Sequence, residues 1–183
     1  MQDILIDLKV DKEPYLKTIT NDKIINLTGQ SGSGKSYYAK EKFNSDDYLV
    51  IDTDEVFNRY EKSTGYNRKL GMYFRKKYVQ LPNLFDDFDL IYSEILEFCK
   101  DLDKTIVIDC ATFHCIKDVS LLKGKIIILR TSINTCYERC IERFKKNNPN
   151  YTKNELSDYA ERKKKIFIWY KYSNDFILKV DKL

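Results

Sequence analysis

Residues 29–36 read Gly-Gln-Ser-Gly-Ser-Gly-Lys-Ser, and this G-x-x-x-x-G-K-[ST] spacing constrains the fold more than any other stretch. Such a loop works between a buried strand and a helix N-terminus. Both flanks comply. Ile24 to Thr28 is apolar enough for a buried strand, and Lys35 to Phe43 holds no Gly or Pro and suits a helix. Glycines let the backbone curl until its N–H groups face an anion, and the helix end adds partial positive charge. The expected polyphosphate cradle is Gly29, Gln30, Ser31, Gly32, Ser33, Gly34, Lys35, Ser36 and Tyr37. Within it the Lys35 ammonium reaches for the β- and γ-phosphates, and the Ser36 hydroxyl is placed to ligate Mg²⁺.

Strand and helix patterns alternate along the rest of the chain. Ile4 to Leu8 reads as a half-exposed strand, and Tyr15 to Ile19 either pairs with it or is loop. Tyr48–Ile51, Thr105–Asp109 and Lys125–Arg130 read as buried strands, with Phe176–Val180 as the last. A helix is expected from Thr53 or Asp54 to about Lys62, ended by Gly65. Residues 66–85, aromatic and basic, fit no element clearly. Asp86 to Lys100 puts Phe88, Ile91, Tyr92, Ile95, Leu96 and Cys99 on one helical stripe, a core face. Ser132 can cap a helix from Ile133 to about Lys146, which Asn147 to Asn150 breaks. The capping box Thr152–Glu155 opens another, to about Tyr172. This alternation argues for a parallel sheet covered on both faces.

A length of 183 residues fits a single domain over 1–183 with a real core. Hydrophobic content of 43% beside 33% charged residues describes a soluble globular chain. No apolar run approaches the roughly 18 residues a bilayer span needs. Met1-Gln2-Asp3-Ile4 lacks the features of a secretory leader, so the cytoplasm is the expected location and a membrane is not an expected partner. The net charge of +4 is too small to name a partner. Its distribution says more: Arg139 to Lys171 holds ten Lys or Arg against four acids, which suits an anionic ligand. Inside that stretch Lys163–Lys165 reads as a solvated helix face. Five cysteines without C-x-x-C spacing argue for buried thiols rather than disulfides or zinc.

Three further features bear on chemistry. Ile106-Val107-Ile108-Asp109 is an apolar strand ending in an acid, and beside the loop strand Asp109 would sit near Ser36 and hold Mg²⁺. Asp52 and Asp54 follow the second strand, where open α/β sheets bind ligands. Asp54 is the preferred base for an attacking hydroxyl, with Asp52 as a second metal ligand or as its support. A plain helix cap is the alternative reading of Asp52. Arg139 and Arg143, spaced i, i+4, share one helix face and can stabilise charge on a transferred phosphoryl group. Residues 144–154 form a candidate lid. Arg59, Arg68 and Arg75 could read an anionic acceptor, and Tyr66, Tyr73 and Phe74 could stack on one, within an acceptor segment at about 55–85.

With the loop, Asp52-Thr53-Asp54, Asp109 and Leu129-Arg130…Arg139-x-x-x-Arg143 in place, residues 24–180 resemble the small P-loop kinases of the nucleotide and metabolite kinase superfamily. The resemblance implies a three-layer α/β/α fold, a parallel sheet in order 2-3-1-4-5, a helical lid, and ATP·Mg²⁺ as phosphoryl donor. Val50 to Glu55 and Gly71 to Arg75 resemble shikimate-type kinases, but Cys110-Ala111-Thr112-Phe113 stands where those carry three glycines. Asp54 also matches the catalytic acid of zeta-toxin-like and 5′-polynucleotide kinases. Those place an Arg three residues later, whereas Phe57 stands here and Arg59 follows.

The expected activity is transfer of the γ-phosphoryl group of ATP to a hydroxyl or phosphate of a small acceptor: a nucleoside, nucleotide or metabolite. A polynucleotide 5′-kinase and a non-catalytic nucleotide-binding module are the alternatives. The second would use nucleic acid as partner. Guanine-specific switches are disfavoured, because the chain has no Asn-Lys-x-Asp after a strand.

Overall fold

The computed structural model describes residues 12–164 and 167–183. The expected strand Ile4–Leu8 lies outside them, as do the side chains of residues 165–173, including Lys165 and Lys171. Five strands form one sheet: β1 (Lys12–Thr18), β2 (Ile24–Gly29), β3 (Tyr48–Asp52), β4 (Thr105–Asp109) and β5 (Lys125–Arg130), in spatial order β1-β5-β2-β4-β3. Seven α-helices are described: α1 (Lys35–Lys42), α2 (Thr53–Phe57), α3 (Gly65–Lys77), α4 (Phe88–Cys99), α5 (Ile133–Asn147), α6 (Lys153–Lys164) and α7 (Phe167–Val180).

Four neighbouring strands, β3-β4-β2-β5, are parallel and reproduce the 2-3-1-4 part of the expected order. The fifth place differs. It is filled by β1, which pairs antiparallel with β5, Tyr15 opposite Ile128 and Thr18 opposite Lys125. Phe176 to Val180, expected as the last strand, is the end of α7. Phe176 and Val180 are both buried, and their spacing of four is a helical one. A short apolar run does not reveal its period, so the same residues also satisfied a strand pattern.

Alternation along the strands divides the core. Leu27, Val107, Ile127 and Leu129 point to one face, where Ala39 of α1 covers them. Ile51, Ile106, Ile108, Ile126 and Ile128 point to the other, under α2, α3, α4 and α7. The α4 stripe enters that second layer, with Phe88, Ile91, Tyr92 and Ile95 almost wholly buried. Phe113, from a short 3₁₀ turn after β4, meets Phe88 and Tyr92 edge-on. Four buried thiols, Cys99, Cys110, Cys136 and Cys140, fill space as small apolar groups.

The helix expected from Thr53 to Lys62 is shorter. It stops at Phe57, a 3₁₀ turn follows at Tyr60–Lys62, and Gly65 opens α3 rather than closing α2. Ser132 Oγ caps α5 by accepting from the Thr135 amide, and the Thr152–Glu155 box caps α6 reciprocally. Among the described residues no helix is long and apolar enough to cross a membrane.

Candidate phosphate-binding site

β2 ends at Gly29 and runs into a loop whose shape only glycine permits at two points. Gly32 has φ +85° and Gly34 φ +94°. A Cβ on Gly32 would lie 2.4 Å from the Cys136 carbonyl oxygen on α5, so the loop is seated directly against that helix backbone. Gly34 is the N-cap of α1, and no side chain caps that end. The amides of Gly34, Lys35 and Ser36 meet no protein acceptor among the described residues. An anion therefore fits here on two counts: exposed helix amides, and a cradle that an alanine would fill. Gly32→Ala is expected to cost about 1–2 kcal/mol through its left-handed backbone alone, with the clash added. Urea melts and nucleotide titration would register it as lost stability together with lost binding.

Cations surround the loop. Lys35 Nζ donates to the Gly29 carbonyl at 2.9 Å, and Arg139 Nη1 to the Gly32 carbonyl at 3.3 Å. From α6, Lys163 Nζ reaches Ser31 Oγ at 3.5 Å. Arg143 lines the same opening. None of these four forms an ion pair among the described residues. Arg139 and Arg143 also line a neighbouring cavity of about 630 Å³, with Tyr37 and Lys146. The reading of Lys163 as a solvated face does not hold: it is half-buried against the loop, while Lys164 is exposed.

Across a cavity of about 400 Å³ stand three carboxylates. Parallel register sets Asp109 of β4 beside Leu27 of β2 and beside Asp52 of β3, so the two acids end adjacent strands at the loop. Asp109 is 6% exposed, and no protein group donates to its carboxylate among the described residues. Burial pushes its pKa up to about 6, partly offset by the Lys35 charge. With the exposed Ser36 hydroxyl in the same cavity, this open oxygen pair fits a hard divalent cation. Asp52 is committed otherwise. Its Oδ1 accepts from the Asp54 and Glu55 amides, capping α2, and its Oδ2 accepts from Arg59 at 2.9 Å. Burial raises the Asp52 pKa, and Arg59 opposes that rise. Asp52 thus serves as cap and support rather than as an open ligand. Asp54 turns an exposed carboxylate to the cavity, with Oδ1 accepting from Asn58 at 2.9 Å.

A pH prediction follows from Asp109. Its folded pKa lies above the ordinary 3.8, so the folded state holds the proton more tightly than the unfolded chain. Ligand-free stability is then lost as pH rises from about 4 to about 6, by on the order of 3 kcal/mol. Asp109→Asn is expected to raise the melting temperature at pH 7 and leave it unchanged at pH 4, measured without magnesium.

The 55–85 segment places its candidates apart. Arg59 lines the cavity. Arg75 does not: its guanidinium donates to the Val56 and Gly71 carbonyls and lies 3.7 Å over the Tyr60 ring. Arg68 rests on that ring too, at 4.8 Å. Phe74 is fully buried core, Tyr73 hydrogen-bonds Glu94, and Tyr66 sits under Lys69. The Gly71–Arg75 pattern is explained by packing, since a Cβ on Gly71 would meet Tyr60 at 2.6 Å. Sequence reading missed two groups. One is Lys163; the other is Thr131, whose Oγ1 donates to the Ser33 carbonyl at 2.9 Å. Neither carries a local signal, because each acts on residues about a hundred positions away.

No protein-family profile matches the chain, and no curated protein sequence does. Among solved structures 18 chains match. One belongs to the structure titled "Structure of the Pnkp1/Rnl/Hen1 RNA repair complex", with a TM-score of 0.51 and 13% identity over 87% of this chain. The match covers 47% of that chain, so this protein spans less than half its length. At this identity the likeness is one of fold: the chain shares an α/β architecture with a segment of that protein, and in this chain the Gly29–Ser36 loop sits at the carboxyl end of β2, inside the sheet.

Proposed function

We propose that this protein is a phosphotransferase that uses ATP·Mg²⁺ as donor and a hydroxyl or phosphate of a small molecule as acceptor. One observation carries the reading: an uncapped helix N-terminus, Lys35 and Arg143 face three carboxylates across one cavity, with Arg139 and Lys163 against the same loop. Cations and amides hold a polyphosphate; carboxylates hold its metal and take up an acceptor proton. Either set alone would suit binding, whereas their opposition suits transfer.

Each residue has a task in this reading. The loop amides and Lys35 bind and orient the β- and γ-phosphates. Ser36 and Asp109 would hold magnesium, which when bound neutralises phosphate oxygens. Asp54 orients the acceptor hydroxyl and receives its proton as the acceptor oxygen bonds to the γ-phosphorus and the β,γ-bridging bond breaks. Arg139 and Arg143 offset charge on the transferred group. Asp52 holds Arg59 and the start of α2 in place. A lid at 144–154 would exclude water, which would otherwise compete as acceptor.

The fold likeness to a chain from an RNA repair complex favours a second reading, in which the acceptor is a polynucleotide 5′ hydroxyl. Incubation with γ-labelled ATP and magnesium, against nucleosides, nucleotides, sugars and 5′-hydroxyl oligonucleotides, separates the two. Label on a small acceptor supports the first, and label on oligonucleotides alone supports the second. Tight ATP binding with no transfer to any acceptor would leave a regulatory nucleotide-binding module.

A further inference from the structure

Helices α5 and α6 form a hairpin, joined by residues 148–152. Its aromatic seam fixes how α6 lies. The Tyr159 ring stacks on Phe144 of α5 with centroids 4.4 Å apart, and Tyr151 meets Phe144 edge-on at 6.0 Å. Lys163 is one turn beyond Tyr159 and so lies on the same helix face. Its ammonium stands 5.4 Å from the Tyr159 ring centre and 3.5 Å from Ser31 Oγ. Ser31 is the third residue of the phosphate loop and lines the cavity that holds Lys35, Asp54 and Asp109. The seam therefore aims a half-buried cation, remote in sequence, at the rim of the loop.

The hydroxyl is a weak resting place for an ammonium. It is neutral, the contact is long, and Ser31 Oγ already lies 3.5 Å from Cys140 Sγ. No carboxylate pairs with Lys163 among the described residues. A phosphate oxygen would be a far stronger acceptor.

We propose that Lys163 is a second phosphate-binding lysine of this site, delivered by α6 to the loop at Ser31 and exchanging that hydroxyl for a non-bridging oxygen of the bound polyphosphate. This rests on the phosphotransferase reading and deepens it. It makes the α5–α6 hairpin part of the donor site, so that binding the polyphosphate and holding the hairpin over the loop are one event.

Inorganic tripolyphosphate with magnesium is the probe, titrated by calorimetry into the full chain. Lys163→Met keeps the apolar stem and removes the charge; it is expected to weaken tripolyphosphate binding about ten- to a hundredfold, the worth of a charge-assisted hydrogen bond. Lys163→Arg is expected to restore most of it. Lys164→Met, one residue on and exposed, is expected to change affinity less than about twofold, as a screened surface charge does. Ligand-free melting of all three variants should match the parent, which separates phosphate binding from a structural tether. Parental affinity in Lys163→Met overturns the proposal while leaving the phosphotransferase reading intact. An equal loss in Lys164→Met overturns it too, by showing a diffuse field rather than a contact. If the parent binds neither tripolyphosphate nor ATP, the phosphotransferase reading falls and takes this role with it.

Discussion

Lys35→Ala is expected to slow phosphoryl transfer by about a hundred- to a thousandfold, the loss seen when one preorganised donor to a developing charge is removed. The physical basis is local. Lys35 is the first residue of α1, and its ammonium folds back on the Gly29 carbonyl at 2.9 Å, over the cavity that Asp109 lines. No other described cation both borders the loop from within and acts on Asp109 as its principal opposing charge. Removing it costs the bound phosphates their nearest point charge. It also leaves Asp109 less opposed, so that acid is held neutral to higher pH and is a poorer metal ligand. Folding is expected to survive, because the residue is only half-buried and its bond to Gly29 is one part-buried contact beside the packing of Ala39 on the sheet. Single-turnover transfer from labelled ATP, set beside circular dichroism, measures both halves. A variant with parental rates would remove the loop from the chemistry altogether.

Asp54→Asn is expected to lower the transfer rate about a hundredfold while leaving ATP affinity within about twofold, the pattern of a group that acts on the acceptor. The effect sits at the low end for a general base, because phosphoryl transfer passes through a loose transition state with little proton motion. The substitution is conservative here. Asn58 donates to Asp54 Oδ1, and an asparagine carbonyl can accept the same bond. Asp52→Asn makes the contrast. Asp52 caps α2 and pairs with Arg59, so its loss is expected to appear first as about 1 kcal/mol of stability. If Asp54→Asn kept full activity while Asp52→Asn, still folded, lost it, the role of base would move to Asp52.

The loop, the four parallel strands and the α4 core stripe were legible because each is a local pattern. A glycine spacing, an apolar run and a 3.6-residue period depend only on near neighbours in sequence. Asp109 was readable for the same reason, as an acid closing a buried strand; its place in the cavity that Ser36 also lines needed only β4 next to β2. The edge of the sheet was not legible. Phe176 to Val180 carries an apolar run too short to show its period, and packing resolved it as helix, leaving β1 to take the fifth place.

The division recurs at the site. The sequence determined that residues 29–36 would form a glycine turn between a strand and a helix, with a lysine at its end, since steric freedom at glycine and the charge of Lys35 belong to those residues wherever the chain goes. Tertiary structure decided which distant side chains serve that loop. It spent Arg75, Tyr73 and Phe74 on packing, committed Asp52 to a helix cap, and brought Lys163 to Ser31 across 132 positions. Long charged and aromatic side chains have several partners within reach of their flexible stems, and only the folded distances choose among them.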